Sequence, residues 1–556
     1  MNFSKNLENE HFLGGKMHIS KLIAVLLLFS SQLALALPIS MEERLSDFDQ
    51  LNAGIKASYG PLQYKVEKQG LQFEKLQENY RAQLLQTKTN ADFYYLIRKY
   101  ISEFHDGHFF AIVPSERMAF FPATVELVDG KILIDQISPM LPPPMFPFKK
   151  GDEIISMNGK PIADEINELA SYLGNGSELT EKRKAAWMLF SRMGAFVPVP
   201  SGSFSLSVRK QGEVLPQNVV MQWMVMGDFI DEMDSLESEP ILSEVPQLAA
   251  QPIDYLKLSD RETYEMMLGK ERMESSYKCS GATRINIPTD AQMITEKPFV
   301  SYIHNTPKGK VGYLRLPHYA PKGKDARSAM DQYFSQYEYA IREMERNTVG
   351  LVIDQDHNCG GYVNLVERMT SLFIDKPQKP MQFQLLASKA EYLTYRSWLK
   401  FFDTFTIMKE ELSNVEGLLK QAWQSGTAMT SKTSLLGNDK VYPNRIRYTK
   451  PIVITIDEMS GSGGDAFPAL MKGYGRAKLV GTRTAGMGGH IGRLPSLNFS
   501  QISIQVTKSL FYRPDGVAVE NNGATPNYPY THTVADFVGG YQDYQKFYLD
   551  KLLEEL

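Results

Sequence analysis

The stretch DEMSGSGGDAFPALMKGYG, residues 457–475, reads as a strand end, a glycine-rich turn and a departing helix. Two serines stand in the turn, Ser460 and Ser462. A serine at a helix N-terminus is either a cap or a nucleophile beside exposed backbone N–H groups. Ser462 is the better nucleophile because glycines flank it on both sides and let the backbone bring a substrate close, which leaves Ser460 as the structural cap. Serine hydrolysis also needs a base, a group that orients the base, and donors for the oxyanion. The chain has nine histidines. Four stand near loop chemistry: His105 and His108 in FHDGHFF, His357 in DQDHNCGG and His490 in GMGGHIG. The oxyanion donors would be the N–H of Gly463 and that of Gly361 or Gly360, since both glycine loops follow buried strands. For the orienting acid, Glu520 in PDGVAVENNGATP follows an apolar alternating run and precedes an Asn522-Gly523 turn. His105 and His108 with Asp106 between them could start a metal site, but no third and fourth ligand stand at recognisable spacing, so no metal and no organic cofactor is expected.

The chain that must position these groups has 556 residues, 43% hydrophobic and 11% aromatic, enough for two or three domains with ordinary cores. A formal charge of −4 with scattered lysines and arginines gives no case for nucleic acid as a partner. KMHISKLIAVLLLFSSQLALALP has a basic start, an apolar run and the Ala34-Leu35-Ala36 cleavage pattern of an export signal. Ser30, Ser31 and Gln32 break the run, so stable membrane insertion is not expected, and the mature chain should begin near Leu37 in a periplasmic or secreted location. Cys279 and Cys359 could pair after export or remain as buried thiols.

After the signal at 1–36, residues 37–111 are helical in pattern. Phe93, Leu96, Ile97, Tyr100, Ile101 and Phe104 mark one apolar face, with Asn90 as the expected cap. Residues 112–225 change to short strands, with an Asp129-Gly130 hairpin and the alternating FSLSVRK. Residues 226–300 are acidic and weakly patterned, an exposed insert. From 301–379 and 446–535 the pattern is an α/β core, interrupted by a helical insertion at 380–445, and 536–556 closes the chain as a helix. KVGYLRL, TVGLVID and PIVITID are buried strands, and the last two end in the two glycine loops. Strand, helix, strand units put ligands at the carboxyl ends of strands.

These pieces resemble a known family. SGSGGDAF and GYGRAKLVGTRTAGMGG resemble the nucleophile region of the C-terminal processing (tail-specific) peptidases, HDGHF their histidine motif and DGVAVENNGATP their glutamate motif. The family's serine–lysine branch has a lysine 25 positions after the nucleophile; this chain has Met487 there. The resemblance therefore falls to the serine, histidine and glutamate branch, which includes the tricorn core protease and the chlamydial protease-like activity factor. Family spacing puts the glutamate some 58 residues after the serine, at Glu520, and the family motif selects His108 over His105. KKGDEIISMNGKPI, residues 149–162, resembles the PDZ-like module of such peptidases. One departure stands out: the loop reads DQDHNCGG where relatives carry an arginine and an asparagine.

The resemblance implies a crotonase-like α/β core with a helical N-terminal region and a PDZ-like β-rich module. It implies an exported serine endopeptidase acting on protein or peptide substrates, with a homodimer admissible. Zymogens that clip themselves occur in this branch, so residues 226–300 are the expected inhibitory or cleaved segment. A catalytically silent peptide- or ligand-binding protein of the same fold is the rival, and a cysteine hydrolase using Cys359 a distant third.

Overall fold

The computed structural model describes residues 38–227, 286–323, 326–401, 406–434 and 438–556. The proposed export signal at 1–36, Cys279 and most of the 226–300 insert lie outside them.

Four helices open the described chain: α1 (Met41–Ser58), α2 (Leu62–Gln69), α3 (Phe73–Leu84) and α4 (Asn90–Ser102). The cap of α4 is Thr89, not Asn90. Thr89 Oγ accepts the Asp92 N–H at 3.0 Å and the Asp92 carboxylate accepts the Thr89 N–H at 2.9 Å, a reciprocal capping box. Asn90 is the first helical residue, and its Oδ1 accepts from the Ile39 N–H at 2.9 Å and from Arg44 at 3.2 Å. The apolar face of α4 packs on α1 and on the strand Ser503–Thr507, with Phe93, Ile97 and Ile101 against Leu51, Ile504 and Val506.

A β-rich module follows as an antiparallel sheet: β1 (Ala123–Val128), β2 (Lys131–Ile137), β3 (Glu153–Met157), β4 (Ser203–Arg209) and β5 (Gln217–Gln222), paired in that order. Asp129 and Gly130 both have positive φ, 51° and 73°, the mirror-image turn that matches strand twist in a two-residue hairpin. Helices α5 (Ile162–Ala170) and α6 (Glu178–Trp187) cover the sheet.

The core sheet has seven strands whose spatial order is their chain order: β6 (Gln292–Thr295), β7 (Ser301–Thr306), β8 (Gly309–Arg315), β9 (Gly350–Asp354), β10 (Ile452–Ile456), β11 (Lys478–Gly481) and β12 (Tyr528–Pro529). Pairing is antiparallel up to β8 and parallel from β8 to β12. The end of the acidic insert thus supplies an edge strand, β6, and is not exposed chain throughout. Successive side chains of a strand face opposite sides. Leu351, Ile353, Ile452 and Ile454 pack under α7 (Ala326–Asn347), α8 (Val363–Thr370) and α9 (Gly463–Gly473). Val352 and Val453 face the other way, onto Tyr544, Tyr548 and Leu552 of α10 (Gln542–Glu554) and onto Val128 and Leu133 of the β-rich module. The insertion at 380–445 carries helices Lys389–Phe401 and Thr406–Gln424, and it also contains a strand, Gln382–Leu385, paired with Ser509–Tyr512.

Among the described residues no helix is long and apolar enough to cross a membrane.

Candidate active site

Strands β9 and β10 are parallel neighbours, and the loops at their carboxyl ends meet. The β10 loop runs from Asp457 to Ser462, where α9 starts. Ser462 has φ 61° and ψ −114°, a conformation that costs a non-glycine residue of order 1–3 kcal/mol and that concentrates at functional sites. It is half-buried between fully buried neighbours. Ser460, by contrast, is fully buried, with Oγ 2.8 Å from the Gln355 carbonyl and 2.9 Å from Asp457 Oδ1. It ties the two loops together.

Asp465, in the first turn of α9, holds the Ser462 turn against the loop that follows β11. Its carboxylate accepts from the N–H groups of Ser462 (2.7 Å), Gly486 (2.9 Å) and Met487 (3.0 Å) and from Thr484 Oγ1. Burial pushes its pKa up to about 6, and these four donors pull against that rise.

The β9 loop supplies the other wall. Gly360 has φ 79°, and a Cβ built on it would lie 2.6 Å from the Gly461 O and the Gly463 N and 2.7 Å from the Ser462 Cβ. Its own N–H is donated to Asn358 Oδ1 at 2.8 Å, and Asn358 also accepts the Gly461 N–H on its carbonyl at 2.9 Å. Gly361 pairs with Tyr319 through its neighbours: Tyr319 N–H donates to the Gly360 O at 2.7 Å and Tyr362 N–H to the Tyr319 O at 2.9 Å. Strand alternation turns the Gly361 N–H away from Tyr319, toward Gly463, whose Cβ position would be 3.0 Å from Gly361 N. Gly463, as first residue of a helix, has an N–H with no partner inside the helix. Of the glycines singled out in the sequence, Gly361 and Gly463 thus offer donors beside Ser462, while the Gly360 N–H is already engaged. Gly360→Ala should force the rigid backbone of the nucleophile turn to shift and lower peptide hydrolysis about 100-fold or more, measured as kcat/KM on a folded variant.

His108 follows α4 and is buried, 8% exposed. Its N–H donates to Asp106 Oδ1 at 2.8 Å, and Tyr59 OH donates to Asp106 Oδ2 at 3.0 Å. The ring Nδ1 lies 3.3 Å from the Gly488 carbonyl. A carbonyl can only accept, so Nδ1 carries the proton and Nε2 keeps its lone pair. Burial lowers the His108 pKa, with Asp106 opposing. Gly107 and Gly461 both press on one side chain, since a Cβ on the first would lie 2.8 Å from Met487 Cε and 2.9 Å from its Sδ, and on the second 2.5 Å from the same Sδ. Met487 therefore sits between the histidine and serine turns.

Glu520 is fully buried. Its Oε2 accepts the Gly488 N–H at 3.1 Å, so the two faces of one residue join Glu520 to His108, and no direct hydrogen bond links the two side chains. Its Oε1 pairs with Lys65 Nζ at 2.5 Å. Lys65 also donates to Asn521 Oδ1 and, at 3.3 Å, to the His105 carbonyl. Burial, with Asp106 adding to it, pushes the Glu520 pKa up to about 8 against the pull of Lys65 and the Gly488 N–H.

The remaining histidines are otherwise engaged. His105 Nδ1 is 2.7 Å from Glu181 Oε1 and the side chain is largely exposed. His357 faces Asp457 at 3.3 Å against Trp187, and burial lowers its pKa to about 3. His490 Nδ1 is 2.8 Å from Ser509 Oγ. Cys359 is in a disulfide, which removes the thiolate that a cysteine hydrolase would need. Among the described residues no cluster of His, Cys, Asp and Glu could hold a metal ion.

Sequence reasoning does not single out Lys65, Asp465 or Gly488, and it weighs Asp106 only as a metal ligand. Asp465 was visible as the acidic residue three after a helix-capping serine. Lys65 carried no local signal, because its partner lies 455 residues away.

Fold and site define a class, and the comparisons with known proteins agree. Residues 310–530 match the model of peptidase family S41 and residues 117–233 that of a PDZ domain. The match to peptidase family S41 lies over the core, and the chain is a serine peptidase with a helical N-terminal region and a PDZ domain ahead of that core. A protein of Chlamydia trachomatis serovar D is 26% identical over 597 residues, covering 96% of each chain. The tricorn protease of Thermoplasma acidophilum is 24% identical over 278 residues, 49% of this chain and 20% of that one. The solved structure of mature CPAF complexed with lactacystin superposes with a TM-score of 0.73 at 23% identity, covering 92% of this chain and 98% of that chain.

Proposed function

We propose that this protein is an exported endopeptidase that cuts protein or peptide substrates with Ser462 as nucleophile, His108 as base and Glu520 as the group that steadies the base through Gly488. The observation that carries the reading is the strained Ser462, held at a helix start beside the Gly463 and Gly361 N–H groups. His108 Nε2 takes the Ser462 proton as Oγ attacks the peptide carbonyl, and later gives it to the leaving amine. The two backbone donors receive the oxyanion. The PDZ domain presents extended substrate chain to this centre. Removal of 1–36 and self-cleavage within 226–300 belong to the same proposal, and mass spectrometry of the wild type against Ser462→Ala reads both.

Only an activated serine reacts with a fluorophosphonate, so the wild type should take one label and Ser462→Ala none. The pH dependence follows from the buried base. His108 has a folded pKa below the ordinary 6.5, so it stays neutral and competent at lower pH than a free imidazole. The labelling rate should rise with pH along a limb whose apparent pKa lies below 6.5. Absence of label on well-folded protein would favour the silent binding protein.

A further inference from the structure

A cavity of about 360 Å³ opens between the helical region and the PDZ domain, lined by Phe110, Trp187, Met188 and Phe196 together with Arg98 and Lys184. Its position ties it to the candidate active site. Gly107, one residue before His108, lines it. So does Asn175, whose neighbour Gly176 packs on the loop before Met487: a Cβ on Gly176 would lie 2.2 Å from the Ala485 O and 2.6 Å from the Gly486 O.

The charge of the cavity is one-sided. Among the described residues neither of its cations pairs with a carboxylate. The Arg98 guanidinium is buried, 3% exposed, and its N–H groups go to the carbonyls of Phe196 (3.0 Å), Tyr172 (2.5 Å) and Ala111. Lys184, on α6, is half-buried and donates to Asn175 Oδ1 at 2.5 Å. Among the described residues no Asp or Glu lines the cavity. Glu181, one turn away on α6, has its Oε1 on the Asn175 N–H at 2.8 Å and His105 Nδ1 at 2.7 Å. An ammonium has three donors, so Lys184 keeps capacity for an incoming acceptor. Burying a charge among aromatic and aliphatic walls is costly unless a counter-charge meets it.

We propose that this cavity is a specificity subsite for an acidic residue of the substrate, an Asp or Glu whose aliphatic stem fills the apolar walls and whose carboxylate meets the Lys184 ammonium. The inference rests on the peptidase reading above and deepens it by naming a substrate class. Burial lowers the Lys184 pKa to about 8, with Glu181 opposing, which fits an ammonium short of counter-charge. A charge-assisted hydrogen bond in a low-dielectric site is about twice as strong as a neutral one. A site built for such a bond also rejects an analogue that cannot make it, because its polar groups are then left unpaired.

The test uses paired peptides that differ only by Glu against Gln, or Asp against Asn, placed in turn at each position of one scaffold. Wild-type protein should cleave the acidic member with a kcat/KM higher on the order of tenfold to a hundredfold at one position, and Lys184→Met should bring that ratio to near one. Lys184→Gln, which keeps a polar tip of similar reach, guards against a folding defect and should lose the ratio too. Binding of the same pairs to Ser462→Ala, measured by calorimetry, separates this proposal from the catalytic one. If the acidic peptide binds Ser462→Ala more tightly and Lys184→Met removes the difference while no peptide is ever cut, the subsite stands and the peptidase reading falls. Equal cleavage and equal binding of both members at every position, or an acidic preference that survives in both Lys184 variants, overturns the subsite.

Discussion

Ser462→Ala and His108→Ala should each lower kcat/KM for peptide hydrolysis by about 10⁴-fold or more, with circular dichroism and the urea midpoint close to wild type. Loss of either member of a nucleophile–base pair leaves only the catalysis that oxyanion donors and substrate binding supply. The two residues work as a unit, so the double variant should be no worse than the poorer single one. His105→Ala should stay within a fewfold of wild type, because its imidazole is committed to Glu181 at 2.7 Å on an exposed surface. Full hydrolysis by folded Ser462→Ala would end the assignment of the nucleophile. A larger loss at His105 than at His108 would reverse the choice of base.

The largest effect on stability is expected at Arg183. Its side chain is 2% exposed and meets three carboxylates: Glu126 at 2.8 Å, Asp457 at 3.1 Å and Glu458 at 2.7 Å. Glu126 belongs to β1 of the PDZ domain and the other two to the loop that leads to Ser462, so one guanidinium fastens the PDZ domain to the core. Arg183→Met leaves those carboxylates buried without their cation. Removing one partner of a buried ion pair costs about 3–5 kcal/mol, and the urea midpoint should fall accordingly. The sign of the pH effect is fixed by Asp457. In the wild type His357 and then Arg183, with the His357 N–H and the Ser460 hydroxyl, outweigh burial and lower its pKa to about 2, so its share of stability is present above the unfolded value near 3.8 and is lost only as pH falls toward 2. In Arg183→Met the loss should begin at higher pH. A change below about 1 kcal/mol would mean that the network does not hold the two units together.

What the sequence disclosed depended on whether the signal was local. The apolar face of α4, the hairpin at Asp129-Gly130 and the buried strands β9 and β10 each carry their pattern within a dozen residues, and all are present. The cap of α4 was misread by one residue, because Asn90 and Thr89 are both good cap types and only the Asp92 partner, reciprocal with Thr89, decides between them. In the sequence Glu520 follows an apolar alternating run and precedes an Asn-Gly turn, which does not fix its exposure, and in the structure it is fully buried. The cause is a tertiary contact: Lys65 arrives from α2, on the far side of the chain, with no periodicity to announce it. Lys184 was unreadable for the same reason, since the walls that make it unusual come from two separate stretches, residues 98–110 and 173–196.

The segment that matches the peptidase family, residues 310–530, contains the serine and the glutamate but not the histidine, and not Tyr59, Lys65 or Asp106, which surround the histidine and glutamate. The boundary of the segment that matches the peptidase family is therefore not the boundary of the smallest working unit. A fragment that begins at the core sheet would lack Lys65, the cation against Glu520, and His108, whose ring faces the Gly488 carbonyl. Gene fission between the PDZ domain and the core would preserve function only if the two products reassembled, with residues 38–111 acting as a helper supplied in trans. Lineages carrying this architecture are thus expected to keep the order and linkage of everything that meets at Gly488.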